Sequence, residues 1–268
     1  MAIADVSGKP MSEIISLAGR GAVVTGGAQG LGRAIARRLA EAGASVLIAD
    51  VDLDKAQSTA AEFADSYEAR VTAAFMDVAD SGTIIAAADR AVGAFGAIDI
   101  WVNNAGIYPS VPILQTTDAI WDQVMAVNLR GLFVGAREAA RRMMAAGRGG
   151  VIVNVASLAG FSGVAPGLAA YSASKHGVRG ITRQMGLELA PNGIRVLAVA
   201  PSHARTERTA AAIAKDPDLL KAIPSLSKSR LGRVGVPDDV ARVVLFCASD
   251  MSIFMTGSTL LIDAGEHA

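Results

Sequence analysis

Thr25-Gly26-Gly27-Ala28-Gln29-Gly30-Leu31-Gly32 is the stretch on which the fold turns. It follows the apolar run 22–24 and leads at once into a segment where Leu31, Ile35 and Leu39 recur every four residues. That spacing puts the three on one face of a helix, with Arg33, Arg37, Arg38 and Glu41 pointing elsewhere. A short buried strand therefore turns through glycines into an amphipathic helix, which Gly43 ends as a C-terminal cap. Glycine allows the tight turn, lets backbone approach a ligand, and lets the helix pack close to the strand. The helix start adds N–H groups without intrahelical partners and the positive end of a dipole, which favour a phosphate.

Outward from this turn the same alternation continues. Short apolar runs recur at 22–24, 46–49, 71–76, 98–102, 151–155, 196–199 and 260–262, with helical stretches between them. Continuously apolar strands suit a parallel sheet covered on both faces. The pattern predicts one doubly wound α/β domain, a seven-stranded parallel sheet with helices on both faces. Residues 1–18 read as a loose leader and 19–268 as the domain. Between 206 and 233 the rhythm breaks, with Pro217, Pro224 and a run of Ser, Lys and Ala. This excursion is expected to be a substrate-binding lid, the alternative being an exposed helical pair with no role.

Composition narrows the function. The 268 residues are 51% hydrophobic and 19% charged, enough for one large domain or two small ones and unsuited to disorder. Twenty-five basic residues balance twenty-five acidic ones, so nucleic-acid binding has no electrostatic support. Cys247 is the single cysteine, which excludes an internal disulfide and a cysteine-based metal cluster. Within Val243-Val244-Leu245-Phe246-Cys247 it reads as core packing, and no metal is expected. No apolar stretch approaches the ~20 residues that cross a bilayer. The first ten residues carry Asp5 and lack an apolar segment, so a cytoplasmic protein is expected.

The glycine turn between strand and helix is the context of a dinucleotide site. Asp50 closes the second strand, twenty residues after Gly30. A carboxylate there accepts hydrogen bonds from both ribose hydroxyls of NAD and repels the 2′-phosphate of NADP. Gln29 is uncharged, and Arg33 lies a step into the helix facing solvent, so no basic residue waits for that phosphate. NAD is expected over NADP, held by Thr25, Gly26, Gln29, Gly30, Leu31, Gly32, Asp50 and Val51. Asp77, with Val78 after it, either meets the adenine or caps the helix that follows.

Tyr171-Ser172-Ala173-Ser174-Lys175 puts a phenol and an ammonium at i and i+4, on one helix face. Fourteen residues earlier Ser157 ends a buried strand, at the carboxyl edge of the sheet where ligands bind in such folds. Oxidising an alcohol needs a base for the hydroxyl proton while hydride leaves carbon. A free tyrosine, with a pKa near ~10, is a poor base at neutral pH. A nearby ammonium favours the phenolate and lowers that pKa. The serine hydroxyl would hold the substrate oxygen and stabilise its developing charge.

The sequence resembles the short-chain dehydrogenase/reductases over nearly its whole length. The motifs stand in order: Thr25-Gly26 with Gly30 and Gly32, Asn103-Asn104-Ala105-Gly106, Asn128, Ser157, Tyr171 and Lys175. The resemblance implies a single Rossmann domain with Tyr171 as general acid/base, Lys175 also binding the nicotinamide ribose, and Asn128 holding a water of a proton relay. It further implies that Asn104, Ala105 and Gly106 line the cofactor, that Pro201 and Thr206 flank the carboxamide, and that the protein is a homotetramer. One departure is that glycine usually follows that proline, where this chain has Ser202 and His203. A glycine-specific angle there would strain serine, unless the loop takes another path. His203 either reaches the substrate or lies at the loop surface, and His176 points to another face of its helix.

Ile107-Tyr108-Pro109, Leu158-Ala159-Gly160-Phe161 and Val164-Ala165-Pro166 are the expected pocket walls, with Ser157, Ala159, Tyr171 and His203 as substrate contacts. They are nearly free of charge, which suits an apolar or weakly polar secondary alcohol or its ketone. The rival enzyme reading is a 3-oxoacyl-carrier-protein reductase, against which Asp50 weighs. A rival of another class is a non-catalytic NAD-sensing binding protein, although such proteins typically lose the tyrosine or lysine.

Overall fold

The computed structural model describes residues 3–218, 220 and 228–267. A short helix α1, Met11–Ile15, precedes β1, Gly21–Thr25, and α2, Gly30–Glu41. Then come β2, Ser45–Asp50; α3, Leu53–Ser66; β3, Val71–Phe75; α4, Ser81–Phe95; and β4, Ile100–Asn103. The second half runs α5, Asp118–Met125; α6, Leu132–Ala146; β5, Gly150–Val155; α7, Ala169–Leu189; and β6, Ile194–Pro201. It closes with α8, Glu207–Lys215; α9, Pro237–Ala248; and β7, Thr259–Ile262. The strands form one parallel sheet in the order β3-β2-β1-β4-β5-β6-β7. The order reverses between β1 and β4, which opens a crevice at their carboxyl ends.

The continuous apolar runs are explained by two cores, one on each face of the sheet. Ala22 and Val24 of β1, Val46 and Ile48 of β2 and Ile100 and Val102 of β4 pack with α2, α3 and α9. Their neighbours Val23, Leu47 and Trp101 pack on the other face with α4 and α6. Alternate side chains point to opposite faces, so a strand buried on both is apolar at most positions. Cys247 is buried in the first core, where desolvation pushes its thiol pKa up to about 12.

One boundary differs from the sequence reading. Leu17 is fully buried and its N–H donates to the Ala42 carbonyl at 2.7 Å, so the packed body begins ahead of residue 19. The helical stretch after Thr117 is continuous to Ala146 but contains a π turn, Ala126–Gly131, between α5 and α6. Of the 206–233 excursion, α8 is described, whereas 219 and 221–227 lie outside the described residues. Among the described residues, no helix is long and apolar enough to cross a membrane.

Ala264 is the only described non-glycine residue with a positive φ, at 51°. The left-handed conformation costs an L-residue about 1 kcal/mol. Ala264→Gly is expected to raise stability by about 0.5 kcal/mol, the relieved strain exceeding glycine's extra unfolded-state entropy. Equilibrium unfolding in urea checks this, and a lower midpoint would contradict it.

Candidate active site

The glycine turn closes the lower wall of a cleft of about 560 Å³ at the carboxyl edge of the sheet. Gly26 has φ +61°, and a Cβ on it would lie 2.9 Å from the Ala105 Cα. A Cβ on Gly32 would lie 2.0 Å from the Gly26 carbonyl oxygen, so no side chain fits there. The first residue outside α2, Gln29, makes no side-chain cap, and the first turn of α2 carries no acid. Its N–H groups therefore lack a local anionic partner, as suits a phosphate binder.

Asn104 stitches the turn to the fourth strand. Its Nδ2 donates to the Thr25 and Gly26 carbonyls, both at 2.9 Å. The Thr25 hydroxyl accepts from the Asn104 and Ala105 N–H groups at 3.0 Å. Thr25 is thus buried and spent on internal bonds, and it does not line the cleft as expected. Gly26, Gln29, Gly30, Leu31, Gly32, Asn104, Ala105 and Gly106 all do.

Asp50, Val51, Asp77 and Val78 line the far end. Asp50 Oδ2 accepts from the Ala28 N–H at 3.0 Å and Oδ1 from the Asp52 N–H at 3.1 Å. Each oxygen keeps a lone pair for a ribose hydroxyl. Asp77 is not the helix cap, because Asp80 accepts from Gly82 N and caps α4. Arg33 is bound to Glu62 and lies over the Phe63 ring, away from the cleft. The expectation that no basic group stands near Gln29 needs correction: Lys55 Nζ donates to Gln29 Oε1 at 2.5 Å. Lys55 is twenty-six residues away in the chain, a contact made only by folding.

At the other end Ser157, Tyr171, Lys175, Pro201, His203 and Thr206 share the cleft. Lys175 is 4% exposed, donates to the Val155 carbonyl at 2.7 Å, and stands 5.6 Å from the Tyr171 ring centre. Burial lowers its pKa to about 8, so it is still an ammonium at pH 7. Ser157 accepts from the Ala159 N–H at 3.1 Å, which leaves its own O–H as a donor. Ala159 itself is fully buried and lines no part of the cleft, which corrects its assignment as a substrate contact. Ser202 escapes strain, since its φ is not positive, and its N–H donates to Ile262 O at 3.0 Å. His203 faces the cleft rather than bulk water, and burial lowers its pKa below the usual imidazole value.

Asn128 sits in the π turn, almost fully buried and outside the cleft lining. Its Oδ1 accepts from the Ile107 N–H, and its Nδ2 donates to the Ile107 carbonyl, both at 2.8 Å. The second Nδ2 hydrogen goes to Ser174 Oγ at 3.2 Å, and Ser174 donates to the Tyr171 carbonyl at 2.7 Å. The side chain therefore ties the 104–108 loop to the turn of α7 that carries Tyr171. Tyr108, on that loop, meets the Tyr171 ring edge-on at 5.8 Å.

Ile107, Tyr108, Leu158 and Val164 are wall residues as read from the sequence, whereas Pro109, Gly160, Phe161, Ala165 and Pro166 are not. Leu168, Met76, Val127 and Glu207 are wall residues that were missed. Only the periodicity of α7, placing Leu168 just before Tyr171, could have suggested the first. His176 is exposed, with Nδ1 on the Ser172 carbonyl at 2.9 Å, away from Lys175.

Residues 26–267 match the family model described as enoyl-(acyl carrier protein) reductase. A 3β-hydroxysteroid dehydrogenase of Eggerthella lenta is 38% identical over 253 residues, 94% of this chain and 96% of its own. A 3-oxoacyl-(acyl-carrier-protein) reductase of Aquifex aeolicus is 36% identical over 253 residues, 94% of this chain and 98% of its own. The crystal structure of a short-chain type dehydrogenase/reductase from Mycobacterium marinum superposes with a TM-score of 0.87 at 33% identity. It covers 94% of this chain and 97% of that one.

Proposed function

Since the chain belongs to the short-chain dehydrogenase/reductase family, a family of nicotinamide-dependent oxidoreductases, we propose that it interconverts a secondary alcohol and its ketone, using NAD. The observation that carries this reading is the convergence of Ser157, Tyr171 and Lys175 on one end of a cleft whose other end holds Asp50. A nicotinamide dinucleotide bound there would supply the hydride acceptor for alcohol oxidation and the hydride donor for ketone reduction.

The protein's own groups handle the proton. In the oxidative direction the Tyr171 phenolate takes the hydroxyl proton, while the Ser157 O–H donates to the same oxygen. The Lys175 ammonium makes the phenolate accessible. Its Nζ stands 5.6 Å from the ring centre, close enough for its positive charge to favour the phenolate over the phenol. In the reductive direction the phenol returns the proton. Asn128 acts as a positioning residue, holding Tyr171 through Ser174 and the 104–108 loop through Ile107.

The substrate end favours an apolar or weakly polar molecule. Ile107, Tyr108, Leu158, Val164 and Leu168 face it, and His203, held neutral by burial, supplies one hydrogen-bonding group without charge. A panel of alicyclic and aliphatic secondary alcohols against charged hydroxy acids, each with NAD and NADP, tests this. The uncharged compounds should turn over with NAD; exclusive use of the hydroxy acids would contradict it. Reduction of a 3-oxoacyl thioester is the second reading, favoured by the carrier-protein reductases among the relatives.

Cofactor choice rests on Asp50. Asp50→Ala is expected to lower the NAD-to-NADP ratio of kcat/KM at least tenfold, because ribose hydrogen bonds are lost and repulsion of the 2′-phosphate is removed. An unmoved ratio would refute the assignment. Lys55 on Gln29 is the positive charge that would then meet the phosphate.

A further inference from the structure

The first turn of α2 has neither a side-chain cap nor an acid of its own, yet a foreign carboxylate stands over it. Glu207, in the first turn of α8, lines the cleft, and its Oε2 lies 3.9 Å from where a Cβ on Gly30 would be. Thr206 holds this turn in place. A Cβ on Gly30 would lie 3.7 Å from its Cγ2, and its side chain forms a reciprocal cap with Thr209. The Thr209 hydroxyl donates in addition to the Ala204 carbonyl at 2.9 Å, which anchors the start of α8 to the segment that follows β6. Gly30 is the residue that lets backbone come close to a diphosphate, so the Glu207 carboxylate is in the neighbourhood that the cofactor's own negative charge must take.

We propose that Glu207 is an affinity-determining residue of the dinucleotide site, a carboxylate beside Gly30 whose charge repels the cofactor's diphosphate and weakens its binding. The proposal rests on the reading of the glycine turn as a dinucleotide site. A diphosphate arriving at the N–H groups of the α2 start meets this like charge. The side chain is exposed, so it can swing toward solvent, but its charge stays within screening distance of the diphosphate. The cost falls on binding and speeds release. No other acid of α8 shares the place, because Glu207 is the only one in its first turn. Arg205, two residues earlier, is exposed and does not line the cleft.

The test is equilibrium binding, which needs no substrate. Dissociation constants are measured for NAD, ADP-ribose and adenosine with the full chain and with Glu207→Gln and Glu207→Ala, at low and high salt. The proposal expects both variants to bind NAD and ADP-ribose about threefold to tenfold more tightly at low salt. It also expects unchanged adenosine binding and a difference that narrows as salt rises. Unchanged or weaker dinucleotide binding in both variants overturns it, and so does equal tightening of adenosine, which lacks the diphosphate. If the unaltered protein binds neither NAD nor NADP, the cofactor reading falls and takes this proposal with it. If it binds NAD and the variants do not tighten, this proposal alone fails.

Discussion

Tyr171→Phe is expected to lower kcat/KM for alcohol oxidation about a thousandfold or more while leaving the dissociation constant of NAD within a fewfold. Phenylalanine keeps the ring, its edge contact with Tyr108 and its place over Lys175, and removes only the phenolic oxygen. General acid–base catalysis accounts for factors of about 10²–10⁴, and here no neighbour replaces the lost group. Ser157, whose oxygen already accepts from the Ala159 N–H, is a donor at neutral pH. Thermal unfolding of the variant should match that of the unaltered protein, which separates a chemical effect from a folding defect. A near-normal rate would remove Tyr171 from the mechanism.

The second large effect is a trade between stability and rate at Lys175. Burial holds its folded pKa at about 8, below the ordinary lysine value of about 10.4, with desolvation of the ammonium as the cause. A depressed folded pKa means that the unfolded chain binds the proton more tightly. Below pH 8 both states are protonated and the fold carries the full cost, about 3 kcal/mol. As pH rises from 8 past 10.5 the cost vanishes. Lys175→Met should therefore raise stability by about 2 kcal/mol at pH 7, allowing about 1 kcal/mol for the orphaned Val155 carbonyl. That corresponds to a Tm increase of about 4–8 °C, closing as pH approaches 10.5. The same variant should lose at least about 10² in kcat/KM, and its oxidation rate should rise only at higher pH than in the unaltered protein. A variant that is less stable at pH 7, or one whose rate profile does not move, contradicts the account.

Much of this architecture was legible because its signals are local. Thr25 to Gly32 between an apolar run and a four-residue repeat specify strand, turn and helix, and continuous apolar runs specify a sheet covered twice. Tyr171 and Lys175 share a helix face by spacing alone, and the structure brings them to the same cleft as Ser157. What escaped depends on register and on distant partners. The π turn at Ala126–Gly131 adds no change in apolar period that a pattern could reveal, yet it carries Asn128. Thr25 and Ala159 belong to motifs that border the cleft, but each is used inside the fold. Asp77 and Asp80 are equally plausible caps by composition, and only the Gly82 N–H decides between them. Lys55 on Gln29 and Glu207 over Gly30 are pairings between elements far apart in the chain.

The central claim is hydride transfer from an alcohol carbon with Tyr171 taking the proton. The direct measurement uses a secondary alcohol carrying deuterium on its carbinol carbon, with NAD and the purified protein, followed by mass analysis of the nicotinamide product. The account predicts that one deuterium moves from that carbon to the nicotinamide ring at each turnover, and that Tyr171→Phe suppresses the transfer. Deuterium released to water, or transfer that proceeds equally well in the phenylalanine variant, would contradict it.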